Sequence, residues 1–487
     1  MLEKLAKQTA VYGISTIVVR FLSYLLTPYY TRVFGQETYG VVTDIYALIP
    51  LALTLLTMGM ESSYFRFSAK AEEAGGDVKA AKRRLFATTW GVTSLAAAVF
   101  FLATAFFRDG IARMMGEAYV AHPEYVVWVG LIILFDVWAC IPFSRLREQG
   151  RAMTFVGLKA MNVVLNVALA FGFGAAGLFA TDFGVGWVFV ANLIASVVTW
   201  LAILGTADRT VPKINWALLA AIFAYSLPLL VGGLAGTANE FIDRQMIKYL
   251  LPPESSMDAL GIYGAVAKLG VVLMLFTQMY RYAAEPYFLS AFRQEDFRRS
   301  NAEALKYFII VSVGIFLTIM LFVDLFGLLM GRDFRQGIRV LPIILLANMF
   351  SGIWMNLSFW YKQSGQTQYA IWITGTGLVF TVGLNLALTP ALGYPGAALA
   401  RLGCETAMVA VSYYLNRKHC PTPYDLPRIG SYFLAGGAIY ALSLLTVRLS
   451  PAAHYAANLL LLAAFGWLAV HRERIDLKGL LRSIVKR

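Results

Sequence analysis

Four positively charged residues lie within apolar stretches of the sequence. Arg20, Arg244 and Lys268 lie deep in these stretches, and Lys248 lies near the end of the stretch that contains Arg244. A cation at the centre of a membrane helix costs at least about 2.5–3.5 kcal/mol, so it should face a water-filled cavity or an acidic partner. A guanidinium offers forked hydrogen bonds to phosphate oxygens, whereas an ammonium acts as a point charge. We therefore predict that these four residues are the cations of a substrate-binding cavity.

The residues around Arg20 form a polar helical face. Thr16, Ser23 and Thr27 recur at spacings of four and seven, which places them on one side of a helix with Arg20 among them. We predict that this face lines the same cavity. The alternative is that the hydroxyls pack against a neighbouring helix through hydrogen bonds.

Acidic residues in apolar stretches are candidates for ion coupling. Glu61, Glu240, Asp243 and Glu285 are such residues, because a carboxylate that titrates in a buried site can load and release a proton. Glu240 lies four residues before Arg244, so an ion pair between these two side chains is expected.

Two further ion pairs are expected between charged residues of the apolar stretches. Lys268 could form a fixed interhelical pair with Asp44 instead of facing a cavity. Arg401 lies four residues before Glu405 on one predicted helix, and these two charges are expected to neutralise each other.

The composition identifies the class of protein that must position these residues. Of the 487 residues, 59% are hydrophobic and 14% are charged, and the mean hydropathy is +0.65. Soluble domains carry about 25% charged residues, so the chain is predicted to be an all-α polytopic membrane protein without a sizeable soluble domain. Apolar runs predict about 14 transmembrane helices, near 9–34, 40–66, 86–107, 124–143, 154–177, 184–205, 224–251, 260–283, 304–326, 338–361, 368–390, 395–416, 429–448 and 454–470.

The distribution of Lys and Arg predicts the orientation. With a cytoplasmic N-terminus, the outward segments carry only Arg108, Arg113, Arg332 and Arg335, whereas the inward segments and the tail are basic. This asymmetry follows the positive-inside rule and predicts that both termini are cytoplasmic. It also accounts for most of the net charge of +13, so no nucleic-acid partner is expected.

A weak internal repeat predicts the domain organisation. Two segments separated by 224 positions match at Arg20 and Arg244, Pro28 and Pro252, Tyr39-Gly40 and Tyr263-Gly264, and Glu61 and Glu285. Asn166 and Asn385 match at a similar shift. We therefore predict two parallel six-helix bundles, 1–205 and 215–416, followed by two additional helices in 429–470 and a basic cytoplasmic tail, 471–487. In this alignment Asn215 to Phe223 is an interfacial lead-in, and Pro228 lies in the first turn of the seventh span.

The sequence gives no sign of metal or redox chemistry. It has three cysteines and four histidines and contains no CxxC or HExxH motif, so neither a metal site nor a cofactor is expected. The longest outward loop carries only Asp109 and Glu117 as acidic residues. An enzyme acting on lipid-linked sugars, such as a glycosyltransferase or polymerase, is therefore not expected.

Short motifs across nearly the whole chain resemble those of a known family. They are Pro28 and Tyr30-Thr31-Arg32-Val33-Phe34-Gly35 with Glu37 and Tyr39-Gly40, then Gly59-Met60-Glu61, Phe65-Arg66, Ser226-Leu227-Pro228, Asp243-Arg244, Gly261-Ile262-Tyr263, Gly393 and Gly396-Ala397. The chain is similar in these stretches to bacterial polysaccharide flippases of the O-antigen type, a branch of the multidrug/oligosaccharidyl-lipid/polysaccharide exporter superfamily.

This resemblance implies a flippase in the bacterial inner membrane. It would move an undecaprenyl-diphosphate-linked oligosaccharide from the inner to the outer leaflet by alternating access, with coupling to a proton or sodium gradient. Arg20 and Arg244 would be cavity cations, and membrane lipids and the polymerase and glycosyltransferase machinery would be its partners. The alternatives are a flippase for a lipid-linked peptidoglycan precursor and a multidrug or cation antiporter, and the cationic spans disfavour the antiporter.

Overall fold

A computed structural model describes residues 22, 24–206, 213–291, 297–364, 366 and 368–474. The side chains of residues 282–283, 285–287, 289–291 and 363 lie outside this description. Within the described ranges the chain is helical and contains no strand. Helices satisfy their backbone hydrogen bonds internally, as a chain surrounded by lipid requires.

Twenty α-helices follow one another along the described part of the chain. They are α1 (Leu26–Val33), α2 (Gln36–Thr57), α3 (Met60–Ala74), α4 (Val78–Phe106), α5 (Arg108–Met115), α6 (Glu117–Val120), α7 (Glu124–Glu148), α8 (Ala152–Ala175), α9 (Gly186–Leu204), α10 (Trp216–Leu250), α11 (Pro253–Leu269), α12 (Val271–Ala291), α13 (Phe297–Leu321), α14 (Val323–Gly327), α15 (Leu341–Leu357), α16 (Phe359–Gln363), α17 (Gln368–Leu392), α18 (Tyr394–His419), α19 (Leu426–Thr446) and α20 (Pro451–Glu473). A 3₁₀ helix, Arg332–Val340, leads directly into α15.

The helices confirm an all-α polytopic membrane protein. In the described residues eleven helical stretches are long and apolar enough to cross a bilayer, or twelve if α11 and α12 count as one broken span. The 26-residue α18 is not among them, although it coincides with the predicted span 395–416, because Arg401 and Glu405 lower its hydropathy. Most of the first predicted span, 9–34, lies outside the described residues.

The helices pack as two compact units. Unit 1 consists of the described residues of 1–268 and 370–404, and unit 2 of those of 269–369 and 405–487. In unit 1, α7 packs against α4 and α9, α8 packs against α9, and α2 packs along α10. In unit 2, α13 packs against α15, α19 and α20. The division into two parallel six-helix bundles with two additional helices stays a prediction.

Helix α10 begins earlier than the sequence analysis expected. It runs without interruption from Trp216 to Leu250, and the Asn215 side chain caps it by accepting a hydrogen bond from the Leu218 amide at 3.1 Å. The expectation that Pro228 lies in the first turn is therefore wrong. Asn is among the best N-cap residues, so the capped start at Asn215 brings the apolar 216–223 segment into the helix.

Glycines allow α2 and α11 to approach each other closely within unit 1. A Cβ atom on Gly40 would lie 2.2 Å from the Met257 carbonyl oxygen, and one on Gly261 would lie 2.1 Å from the Gln36 carbonyl oxygen. A Cβ atom on Gly264 would lie 2.3 Å from the Thr43 hydroxyl. Gly40 and Gly264 are the two glycines matched by the sequence repeat, so both members of this pair lie at the same helix contact.

Candidate functional site

The buried Asp243 carboxylate on α10 lies beside two guanidinium groups. The Asp243 side chain is 2% exposed, and its Oδ1 lies 3.3 Å from Arg244 Nη1. Its Oδ2 lies 3.6 Å from Arg401 Nη1 of α18 and accepts a hydrogen bond from the Tyr263 hydroxyl of α11. The Asp243 cluster, defined as these four residues, therefore connects three helices of unit 1.

The two guanidiniums of this cluster also converge on one backbone oxygen. Arg244 Nη1 donates to the Glu240 carbonyl at 2.9 Å, and Arg401 Nη1 donates to the same oxygen at 3.4 Å. The Glu240 carbonyl is available because a carbonyl oxygen has two lone pairs and can accept more than one donor. Fixed acceptors of this kind hold both guanidiniums in a defined geometry.

The local charge pattern makes this site unusual for a membrane helix. The side chains of Arg244 and Arg401 are 15% and 11% exposed. Two guanidiniums beside one carboxylate give the site the forked hydrogen-bond donors that a phosphate-bearing ligand needs.

The expected ion pair between the side chains of Glu240 and Arg244 is wrong. Arg244 takes its carboxylate partner from Asp243 and uses Glu240 through the backbone carbonyl instead. The Arg244 guanidinium also lies 5.2 Å from the centre of the Phe241 ring and 5.9 Å from that of Tyr263. These aromatic contacts hold the side chain near Asp243, and helical spacing alone did not predict them.

Lys248, one turn beyond Arg244, belongs to a second buried cluster of unit 1. Its ammonium pairs with Asp44 of α2, and the two side chains are 4% and 0% exposed. Asp44 also accepts hydrogen bonds from the Tyr119 hydroxyl at 2.5 Å and from Gln245 Nε2 at 2.6 Å. This geometry favours a structural role for Lys248, and its role as a substrate-binding cation stays a prediction.

Tyr119 supplies a neutral donor to this second cluster. The residue lies on the short α6, between the predicted spans. Burial first, and then the neighbouring Asp44 carboxylate, raises the pKa of Tyr119 well above its ordinary value. The phenol therefore stays protonated and donates its hydrogen to Asp44.

The alternative ion pair between Lys268 and Asp44 is wrong for the described residues, because Asp44 is paired with Lys248. The Lys268 ammonium lies instead 5.9 Å and 6.0 Å from the ring centres of Tyr39 and Tyr46. Aromatic faces attract an ammonium group, so Lys268 stays a candidate cation.

Several predicted site residues cannot be placed. Arg20, Thr16 and Ser23 lie outside the described residues. Glu285 lies in α12, but its side chain is also outside the description. Thr27 is described and is 3% exposed, and its backbone carbonyl accepts a hydrogen bond from the Thr31 hydroxyl at 2.9 Å. The predicted polar face around Arg20 therefore stays a prediction.

Glu61 lies at a polar cavity that the sequence analysis did not anticipate. The cavity has a volume of about 390 Å³ and lies within unit 1. Glu61 Oε1 accepts hydrogen bonds from Cys140 Sγ at 3.0 Å and from the Ser144 hydroxyl at 3.5 Å. Polar residues at helical spacing line the rest, among them Asp136, Arg147, Lys159, Asn162, Ser196 and Thr199.

A sequence signal for this cavity exists. Asp136, Cys140 and Ser144 recur every fourth residue on α7, and Arg147 follows three residues later, so all four share one face of an otherwise apolar helix. On α8 and α9 the pairs Lys159 with Asn162 and Ser196 with Thr199 are spaced by three. Each stripe alone could be a helix contact, and only the fold brings the three together.

Three comparisons relate the chain to known proteins. The Lsg locus protein 1 of Haemophilus influenzae is 20% identical over 346 residues, which cover 68% of this chain and 78% of that protein. The structure of the Lipid II flippase MurJ in an inward closed conformation matches with a TM-score of 0.76 at 14% identity, over 96% of this chain and 100% of that one.

A second solved structure, the inward-facing conformation of a multidrug resistance MATE family transporter of the MOP superfamily, matches with a TM-score of 0.70 at 17% identity. It covers 82% of this chain and 93% of that one. At these identities the two structures establish the fold, which is that of multi-pass transporters. The polysaccharide biosynthesis protein family matches residues 5–292, more than half of the 487-residue chain. The chain belongs to the polysaccharide biosynthesis protein family.

Proposed function

We propose that this protein is a flippase that moves an undecaprenyl-diphosphate-linked oligosaccharide from the inner to the outer leaflet of the bacterial cytoplasmic membrane. The observation that carries the proposal is the Asp243 cluster, in which Arg244 and Arg401 share one carboxylate inside the membrane-spanning part of unit 1. The family and the flippase-like fold support it. The protein would act by alternating access.

The proposed chemistry of transport is electrostatic. A diphosphate group crossing the hydrocarbon region must exchange its water shell for donors of opposite charge. Arg244 and Arg401 offer forked donors at fixed positions, a geometry that matches phosphate oxygens. Arg20 would supply a third guanidinium from the first span. Lys268 would add a point charge without directional preference.

Coupling to a proton or sodium gradient would give the movement its direction. Asp243 is the best placed of the carboxylate candidates, because it holds both guanidiniums and would release them to an incoming diphosphate when it takes up the coupling ion. Glu61, Glu240 and Glu285 are the other candidates. No resident cofactor is part of the proposal.

The proposed setting is the inner membrane of a bacterium, with both termini in the cytoplasm. The substrate would come from cytoplasmic glycosyltransferases and leave toward a polymerase on the outer side. Membrane lipids would surround the apolar faces of the helices.

Transport in reconstituted vesicles tests the proposal. Purified protein would be incorporated into liposomes with a fluorescent lipid-linked oligosaccharide, and the arrival of the sugar in the opposite leaflet would be followed by a membrane-impermeant lectin. The wild type should accelerate this movement and Arg244→Ala should not. Arg113→Ala is the matched control, since Arg113 lies on the short α5 outside the spanning helices. Equal activity of Arg244→Ala and the wild type would contradict the role of the Asp243 cluster.

A lipid-linked peptidoglycan precursor is the second candidate substrate. The similarity in fold to a Lipid II flippase favours this second substrate, because the match covers the whole of that flippase. Expression of the protein in a strain depleted of its own peptidoglycan precursor flippase separates the candidates. Restored growth would support the second candidate, whereas restored surface polysaccharide in a polysaccharide flippase mutant, without restored growth in the depleted strain, would support the first.

A further inference from the structure

The polar cavity at Glu61 has a composition that differs from the Asp243 cluster. Its charged lining consists of two carboxylates, Glu61 and Asp136, and two cations, Arg147 and Lys159, so the formal charges cancel. The remaining polar lining includes the Asn162 amide and the hydroxyls of Ser196 and Thr199. Such a lining combines donors and acceptors without a net formal charge, which suits an uncharged polar ligand better than a diphosphate.

Hydrogen bonds order part of the lining of the cavity. Asn162 Nδ2 donates to the Thr199 hydroxyl at 3.0 Å, and Thr199 in turn donates to the Ala195 carbonyl at 2.7 Å. Asn162 thereby keeps its amide oxygen and one N–H for a ligand. Polar groups that are already ordered lose little entropy when a ligand binds.

Apolar surface beside these polar groups completes the site. The rings of Phe143 and Phe155, both in the lining, meet edge to face with centroids 5.4 Å apart. The Lys159 ammonium lies 4.2 Å from the centre of the Phe143 ring. A sugar ring has the same mixed character, because it has hydroxyls around its edge and C–H groups on its faces.

The volume limits the size of the ligand. Small-molecule sites range over about 300–1,000 Å³, and the cavity, with about 390 Å³, is near the lower end of this range. It has room for a short saccharide unit and not for a long oligosaccharide. The described residues contain no group of three or more His, Cys, Asp or Glu side chains that could hold a metal ion, so the lining gives no support to a metal ligand.

The cavity lies toward the predicted cytoplasmic end of the helices, where the proposed substrate would bind first. Its lining comes from the C-terminal halves of α2, α7 and α9 and from the N-terminal halves of α3 and α8. The α7–α8 connection, 149–151, therefore lies at this end of the bundle, and the positive-inside rule predicts that it is cytoplasmic. A lipid-linked sugar made in the cytoplasm would meet this cavity first.

We infer that this cavity binds a saccharide unit of the lipid-linked substrate, with Glu61, Asp136, Asn162 and Thr199 as hydrogen-bonding residues. The inference rests on the proposed flippase function and adds to it a division of labour. The Asp243 cluster recognises the diphosphate that all such carriers share, and the cavity recognises the sugar. Residues of the cavity would therefore decide which sugars are accepted.

Alkylation of Cys140 is the proposed measure of occupancy of the cavity in the full-length protein. It lies in the lining, whereas Cys404 and Cys420 are buried at 2% and 6% exposure. Protein in nanodiscs would be treated with N-ethylmaleimide and alkylation of Cys140 followed by peptide mass spectrometry. We expect the lipid-linked oligosaccharide to slow alkylation several-fold, and undecaprenyl diphosphate without sugar to leave it unchanged. Equal protection by the sugar-free lipid, or protection by sodium ions alone, would overturn the inference.

A pair of variants tests the inference without relying on alkylation. Asn162→Leu and Thr199→Val remove polar groups that face the sugar, and each should raise the KM for flipping of the oligosaccharide lipid about tenfold. Thr93→Val is the matched control, because Thr93 is a buried hydroxyl of α4 that bonds within its own helix at 3.0 Å. Wild-type KM values for both cavity variants, in an assay where Arg244→Ala is inactive, would refute the saccharide site and leave the flippase proposal intact. No flipping by the wild-type protein would instead refute the flippase proposal itself.

Discussion

Asp44 and Lys248 are 204 positions apart in the chain and form an ion pair with side chains that are 0% and 4% exposed. The pair joins α2 to α10, and Tyr119 and Gln245 donate two further hydrogen bonds to the carboxylate. A buried ion pair of this kind contributes little net stability compared with apolar residues, but removal of one partner leaves an uncompensated charge. Unit 1 therefore depends on both residues being present.

Asp44→Asn should destabilise the protein by about 3–5 kcal/mol, because Lys248 would be left in a buried site without a counter-ion. The melting temperature of the detergent-purified protein measures the effect. Arg299→Ala is the control, since its pair with Glu303 is 3.9 Å long and both side chains are exposed. The double variant Asp44→Leu with Lys248→Met should recover part of the loss. Equal melting temperatures for Asp44→Asn and the wild type would contradict the structural role.

The close contact between α2 and α11 gives a second prediction. Gly40→Ala places a methyl group 2.2 Å from the Met257 carbonyl oxygen, so the two helices must separate. We expect a loss of about 1–3 kcal/mol and a lower yield of monodisperse protein in size-exclusion chromatography. Gly157→Ala on α8 is the matched control, because an added Cβ there meets nothing within 4 Å. That substitution should be neutral or slightly stabilising, since Ala favours helix more than Gly does. A normal yield for Gly40→Ala would show that the helix contact tolerates a side chain.

Arg244→Lys should retain part of the transport activity that Arg244→Ala loses. Lysine preserves the positive charge near Asp243 but loses the forked geometry that matches a diphosphate. We expect a loss of at least about 100-fold in kcat/KM for Arg244→Ala, which leaves no measurable flipping, and a smaller loss for Arg244→Lys, measured by flipping in liposomes. If the two variants are equally inactive although both fold, the contribution of Arg244 is geometric and not electrostatic.

Arg20 lies outside the described residues, so its prediction rests on the sequence alone. Arg20→Ala should abolish complementation of a flippase-null strain while the protein still reaches the membrane, and Arg20→Lys should restore some surface polysaccharide. Immunoblots of membrane fractions provide the control for expression. Full complementation by Arg20→Ala would remove Arg20 from the cavity cations.

Ion coupling is tested by imposing proton and sodium gradients separately on the same liposomes. One of the two should accelerate flipping by the wild type, and Asp243→Asn should remove that acceleration, because the amide can no longer exchange a charge with Arg244 and Arg401. Glu61→Gln is measured in the same way, and the carboxylate whose replacement removes the acceleration is the coupling residue. Flipping that is indifferent to both gradients would exclude secondary active transport.

The sequence by itself determined the fold class, because a bilayer imposes long apolar helices and these are visible without any tertiary contact. It also pointed to Arg244 and Asp243, since charge is rare in such segments. The resemblance of short motifs was enough to indicate the family.

The tertiary structure decided which charges meet. Glu240 and Arg244 have the spacing of an ion pair, yet Arg244 is held by Asp243, and Asp44 is paired with Lys248 and not with Lys268. The polar cavity at Glu61 is assembled from separate stripes on several helices, none of which stands out alone. Helical periodicity fixes only the face on which a side chain lies. Which residue pairs with that side chain depends on how helices distant in the sequence pack together, and helical periodicity does not predict this packing.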